Sequence, residues 1–121
     1  MQTNKPTPNL IVELSFRFAG EILRFVEHLE DKHKFVLANQ LIKSGTSIGA
    51  NVREAQNAES KADFIHKMKI AAKEADETTY WLMLCNEVYS SQGSKELLIK
   101  CESISKILSK IISSTKSKSV R

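Results

Sequence analysis

Gln40, Ser44, Ser47, Asn51 and Glu54 recur at steps of four, three, four and three. Asp63, Lys67, Glu74, Glu77 and Trp81 follow the same kind of spacing further along, with Ile70 completing it. Where helices pack, this heptad register is normally filled by apolar residues. Amides, hydroxyls and carboxylates placed there are costly if buried unpaired, so they have to satisfy one another. The spacing predicts a hydrogen-bonded seam between two helices, with Ser47 and Asn51 donating to Glu74 or Glu77. Such a seam either sets helix register and assembly geometry or holds a ligand. No metal is expected. A di-metal carboxylate bundle presents Glu-x-x-His pairs, whereas Glu74 is followed three residues on by Glu77.

Other residues capable of chemistry are scattered. His28, His33 and His66 lie apart in the sequence and read as surface side chains. Cys85 and Cys101 lie at similar distances from Gln92-Gly93, so a hairpin there can bring them face to face, as core thiols or as a redox pair. There is no glycine-rich phosphate loop, CxxC, HExxH or Ser/His/Asp arrangement. The reading is a chain without catalytic residues or cofactor. Of the aromatic residues Tyr80, Trp81 and Tyr89, Tyr80 falls outside both the seam and the apolar stripe, which suits a subunit contact.

The net charge is +4, and it is unevenly placed. From Lys95 onward, seven Lys or Arg face only Glu96 and Glu102; the remainder carries 11 basic and 12 acidic residues. A basic terminus either meets a polyanion or keeps a protein in solution. On the first reading Lys100, Lys106, Lys110, Lys116, Lys118 and Arg121 contact phosphates, and Arg17 and Arg24, seven apart, extend the surface.

The elements that must position these residues are helical. The 121 residues suit one domain, and no proline occurs from Asn9 to Arg121. Apolar residues step by three or four through Ile11, Leu14, Phe18, Ile22, Phe25 and Leu29, and a second series runs through Ala38, Leu41, Gly45, Ile48 and Val52. Gly45 and Gly49 share a face of the second helix. They mark either the close approach of another backbone or a break near Ser44-Gly45-Thr46. Ser60 with Asp63 has the form of an N-cap, and a third pattern runs through Phe64, Met68, Ala71, Ala75, Thr78, Leu82 and Cys85. Ser90 to Ser94 reads as a turn, with Gly93 able to take positive φ. Leu97, Cys101, Ile104, Leu108 and Ile111 make the fourth helix. The expected organisation is a flexible leader (1–8), an antiparallel up-down-up-down four-helix bundle (9–113) and a basic flexible tail (114–121). No apolar run approaches the length of a membrane span and no secretory signal is evident, so a cytoplasmic location is expected.

The stretch from Gln40 to Ala55 carries Gln40, then Ser47-Ile48, then Asn51-Val52-Arg53-Glu54. With Ser60 to Ala71, Glu74 and Glu77, it resembles the four-helix bundle proteins encoded in intervening sequences of bacterial 23S rRNA genes. The likeness is detailed over Phe35 to Leu84 and looser outside it. It implies an antiparallel bundle assembling as a homo-oligomer, a pentameric ring. Relatives act as accessory proteins of diversity-generating retroelements, where a basic bundle binds nucleic acid and a reverse transcriptase. The family supplies no catalytic residues, and its polar positions, here Gln40, Ser47, Asn51, Glu54, Glu74 and Glu77, are structural. This chain has Arg53-Glu54-Ala55 where Glu-Gly is common. Two functions follow: a nucleic-acid-binding accessory protein, or a protein-binding scaffold with no affinity for RNA or DNA.

Overall fold

Without an internal proline to break them, the apolar periodicities become four long helices. The computed structural model describes residues 7–119: α1 (Thr7–Asp31), α2 (Phe35–Ala55), α3 (Lys61–Tyr89) and α4 (Gln92–Ser119). Pro8 falls in the first turn of α1, where its missing N–H costs nothing. Residues 1–6 of the expected leader lie outside the described residues. The segments between helices are too short to cross the bundle, so consecutive helices run antiparallel. Each helix packs beside two neighbours around a square, and the backbones of the diagonal pairs stay farther apart. The α1–α4 side is the loosest of the four.

Local chemistry fixes the ends. Ser60 Oγ accepts from the Asp63 N–H at 3.0 Å, and the Asp63 carboxylate accepts from the Glu59 N–H at 3.2 Å, closing the start of α3. Ser90 stops α3 in the left-handed region at φ 54°. Gly93 does not serve as that turn residue. It lies in the first turn of α4 with ordinary φ, and a Cβ there would meet the Phe25 ring at 3.1 Å. Helix α4 also continues to Ser119, past the boundary drawn at residue 113. Ile111 and Ile112 pack against the core there, and Thr115 Oγ1 donates to the Ile111 carbonyl at 2.7 Å.

The core follows the anticipated stripes. Ile11, Phe18 and Ile22 meet Leu41, Ile48 and Val52, then Met68, Ala71, Ala75 and Leu82, then Leu97, Cys101, Ile104 and Leu108, all buried. Gly45 and Gly49 stay inside an unbroken α2. A Cβ on Gly49 would stand 3.2 Å from the Ser15 backbone carbonyl oxygen of α1, and one on Gly45 would stand 2.9 Å from Ile22 Cγ1. Close approach of α1 is therefore what these glycines permit, and it offsets their poor helix propensity.

Candidate functional site

The polar heptad residues take positions other than those expected. The core face of α2 is made by Ala38, Leu41, Ser44, Gly45, Ile48 and Val52. Gln40, Ser47, Asn51 and Glu54 lie one stripe away, on the wetted flank of the groove between α2 and α3, where none is fully buried. Water reaches them, so they do not need one another. Ser47 Oγ donates to the Lys43 carbonyl at 2.6 Å and Asn51 Nδ2 to the Ser47 carbonyl at 2.9 Å, both within α2. The predicted donation to Glu74 or Glu77 does not occur. Glu77 instead accepts from Trp81 Nε1 at 3.2 Å on its own helix.

Two polar contacts do cross from α2 to α3. Lys67 Nζ donates to Glu54 Oε1 at 2.9 Å on the surface. Inside the core, the hydroxyls of Thr78 and Ser44 meet at 3.0 Å, with the Gln40 and Glu74 carbonyls as outer acceptors at 3.1 and 2.7 Å. Each hydroxyl has one proton, so the pair forms a short relay satisfied in either direction. This buried pair joins Ser44, a member of the polar heptad, to Thr78, one position off the α3 series, and is the polar contact that fixes α2 against α3 inside the core.

Glu74 is half-buried beside the seam. Burial, then the neighbouring Glu77 carboxylate, pushes its pKa above the ordinary glutamate range, against the milder pull of Lys73 and Lys43. The fold therefore favours the protonated acid. At neutral pH the carboxylate is held ionised at a cost, while below the ordinary glutamate pKa both folded and unfolded chains are protonated and the cost is gone. Glu74→Gln is expected to raise the melting temperature at pH 7 and to leave it unchanged in acid. Thermal melts of the two chains across that range check it.

The cysteines do not face each other. Cys101 Sγ contacts the Ala75 carbonyl at 3.3 Å and accepts from Thr79 Oγ1 at 3.4 Å. Cys85 lies six residues beyond Thr79, roughly 9 Å along α3. Both are buried free thiols. Burial pushes Cys101 up to about 11 and Cys85 upward as well. An aromatic disulfide reagent at pH 8 is expected to label folded protein at least ~100-fold more slowly than a free thiol, and unfolded protein fully. Among the described residues no group of three His, Cys, Asp or Glu is placed to hold a metal. His33 sits in the α1–α2 connection at φ 61°, edge-on to Phe35, and His28 and His66 are exposed on separate helices.

The basic residues are distributed around α4 instead of forming one face. Lys100 Nζ reaches across to Glu21 of α1 at 2.7 Å, and Arg17 pairs with Glu13 one turn before it. Arg24 is exposed on α1. Lys106, Lys110 and Lys118 are exposed, with no ion pair to a carboxylate among the described residues. On the α3 flank, Lys116 lies beside Lys69, whose hydrogen-bonding proximity and charge push the Lys116 amine below the usual lysine range. Arg121 lies outside the described residues.

Reading only the core stripe misses a second stripe. Val12, Phe16, Ala19 and Leu23 step by four, three and four along α1, and nothing among the described residues covers them fully: Phe16 is 71% exposed and Leu23 48%. Val12, Phe16 and Ala19 border a shallow cleft with Thr46, Gly49, Ala50 and Arg53 of α2. On α3, diagonally opposite α1, Tyr80, Leu84 and Val88 form another exposed stripe, with Tyr80 edge-on to Trp81 at 5.0 Å. The α1 stripe was detectable as a second heptad series beside the first.

The family model of the 23S rRNA-intervening sequence protein matches residues 8–110. The chain belongs to that family. Its fold is also that of a crystal structure from Bacteroides thetaiotaomicron, a protein with unknown function from the S23 ribosomal protein family. The two are 40% identical with a TM-score of 0.83, over 88% of this chain and 97% of that one. No curated protein matches. The matched region takes in α1, α2, α3 and most of α4, so the four-helix arrangement and both exposed stripes lie within the family's own extent. Among the described residues no helix is long and apolar enough to cross a membrane.

Proposed function

We propose that the chain is a non-enzymatic scaffold that assembles with copies of itself into a closed ring, five being the number that the family resemblance implies. The observation that carries this reading is the pair of exposed apolar stripes on diagonally opposite helices, Phe16 and Leu23 on α1 and Tyr80, Leu84 and Val88 on α3. Contiguous apolar surface left open on a small bundle marks an interaction face. The stripes differ in sequence, so the α1 face of one copy meets the α3 face of the next. Head-to-tail contacts of this kind generate rings when the rotation closes and filaments when it does not. A ring covers both stripes of every copy. A cytoplasmic setting is part of this reading. Light scattering on the purified chain should give one discrete mass, a whole multiple of the monomer, at micromolar concentration. A monomer mass across the concentration range would overturn the proposal.

A second reading, the nucleic-acid-binding accessory protein with a reverse transcriptase as a further partner, is favoured by one specific feature. Lys69 and Lys116 hold like charges side by side near the end of α4, beyond the exposed Lys106 and Lys110. A phosphate accepts from neighbouring amines, and a ring repeats the patch and multiplies weak contacts. Arg17 and Lys100 contribute less, since each already serves a carboxylate. On this reading anisotropy of a labelled structured RNA or duplex DNA rises at low salt. If six to ten phosphates are contacted, affinity falls by roughly 10³–10⁵ between 50 and 200 mM salt. Deleting Lys116 to Arg121 abolishes most of the binding. No binding at either salt leaves the scaffold alone.

A further inference from the structure

The loose α1–α4 side opens a cleft of about 440 Å³ at the end of the bundle where α1 begins and α4 ends. Its volume falls within the roughly 300–1,000 Å³ of small-molecule sites. The walls are mainly apolar: Leu10 from α1, Phe64 and Met68 from α3, Ile107 and Ile111 from α4. The α4 lining runs from Ile107 to Lys118, roughly 16 Å of helix, so a suitable occupant is elongated. Lys110 and Lys118 are the charged lining residues, no acid lines the cleft, and neither lysine has an ion-pair partner among the described residues.

A second cleft on the same α1–α4 side shows the contrast. It is lined by Arg17, Glu21 and Lys100, and there the Lys100–Glu21 and Arg17–Glu13 pairs already neutralise the cations. Unlike it, the end cleft combines an apolar trough with two lysines that no lining acid neutralises.

We infer that the cleft bounded by Leu10, Phe64, Met68, Ile107 and Ile111 binds a free fatty-acid carboxylate, its chain against the apolar walls and its head group on Lys110 and Lys118. The inference uses neither exposed stripe and does not depend on the assembly reading. The two remain separable because the assembly mass is measured on the same samples.

The test is calorimetric titration of the full chain with sodium octanoate, decanoate and dodecanoate below their micelle concentrations, with decan-1-ol and decylammonium as controls. One carboxylate per chain is expected, tightening about fourfold per added methylene while the trough lasts. The alcohol should bind at least about tenfold more weakly than decanoate, and Lys110→Gln with Lys118→Gln should weaken decanoate by a similar factor. Leu10→Asp, on a partly exposed wall residue, should weaken it as well. Decylammonium binding as well as decanoate would overturn the inference, as would no heat of binding for dodecanoate. A change of assembly mass on Leu10→Asp would show the cleft to be a contact between copies and overturn it. An apo crystal structure with residues 1–6 seated in the trough would do the same.

Discussion

Gly45→Val is expected to remove about 3 kcal/mol or more from a bundle whose total stability is on the order of 5–15 kcal/mol. The first added atom would already lie 2.9 Å from Ile22 Cγ1 and 3.1 Å from Cγ2. Ile22 has no exposed surface and, being β-branched in a helix, no alternative rotamer to take up. Two further methyl groups deepen the clash, so α1 and α2 must separate, and the neighbouring contact of Gly49 with the Ser15 carbonyl is lost with them. The cause can be isolated by a second change. Ile22→Ala destabilises by itself, but in the Gly45→Val chain it vacates the space the valine needs. The double variant should be more stable than the sum of the single losses by about 1 kcal/mol or more. Urea unfolding midpoints of the four chains measure this, and strict additivity would show that the glycine serves some other need.

The same contact shows how far the sequence could be read. A glycine four residues from another on one helix face signalled either close approach or a break, and only the position of α1 decides between them. The four helices and most of the core were legible because steps of three and four leave one face apolar over long proline-free stretches. The polar seam was misplaced because α2 carries two heptad series side by side. Ser44 belongs to the buried one and Ser47, Asn51 and Glu54 to the wetted one. Periodicity gives spacing but not which stripe points inward when both contain small polar residues. The turn at Ser90 was credited to Gly93 because glycine tolerates positive φ most easily, yet the serine adopts it and the glycine makes room for Phe25. Basic residues concentrated in the sequence of α4 are dispersed in space, since a helix spreads side chains around its axis. Lys100 turns to α1 while Lys116 turns to α3.

The largest effect on assembly is expected from placing a charge on either exposed stripe. Phe16 contributes the most exposed aromatic surface of the α1 stripe, and Leu84 the middle of the α3 stripe. Glutamate at either position would have to be buried without a partner in a head-to-tail contact, at a cost of several kcal/mol. The same residue on an isolated bundle stays in water and costs little. Phe16→Glu and Leu84→Glu should therefore each fold with the stability of an isolated bundle and give the monomer mass.

These two variants also distinguish the head-to-tail arrangement from a two-fold one. Phe16→Glu retains its α3 stripe and Leu84→Glu its α1 stripe, so each supplies the face that the other lacks. Native mass spectrometry of an equimolar mixture decides between the two arrangements. A head-to-tail contact gives a one-to-one heterodimer that grows no further, formed from two proteins that are monomers alone. A mixture that stays monomeric, or a homodimer of either variant alone, would contradict it.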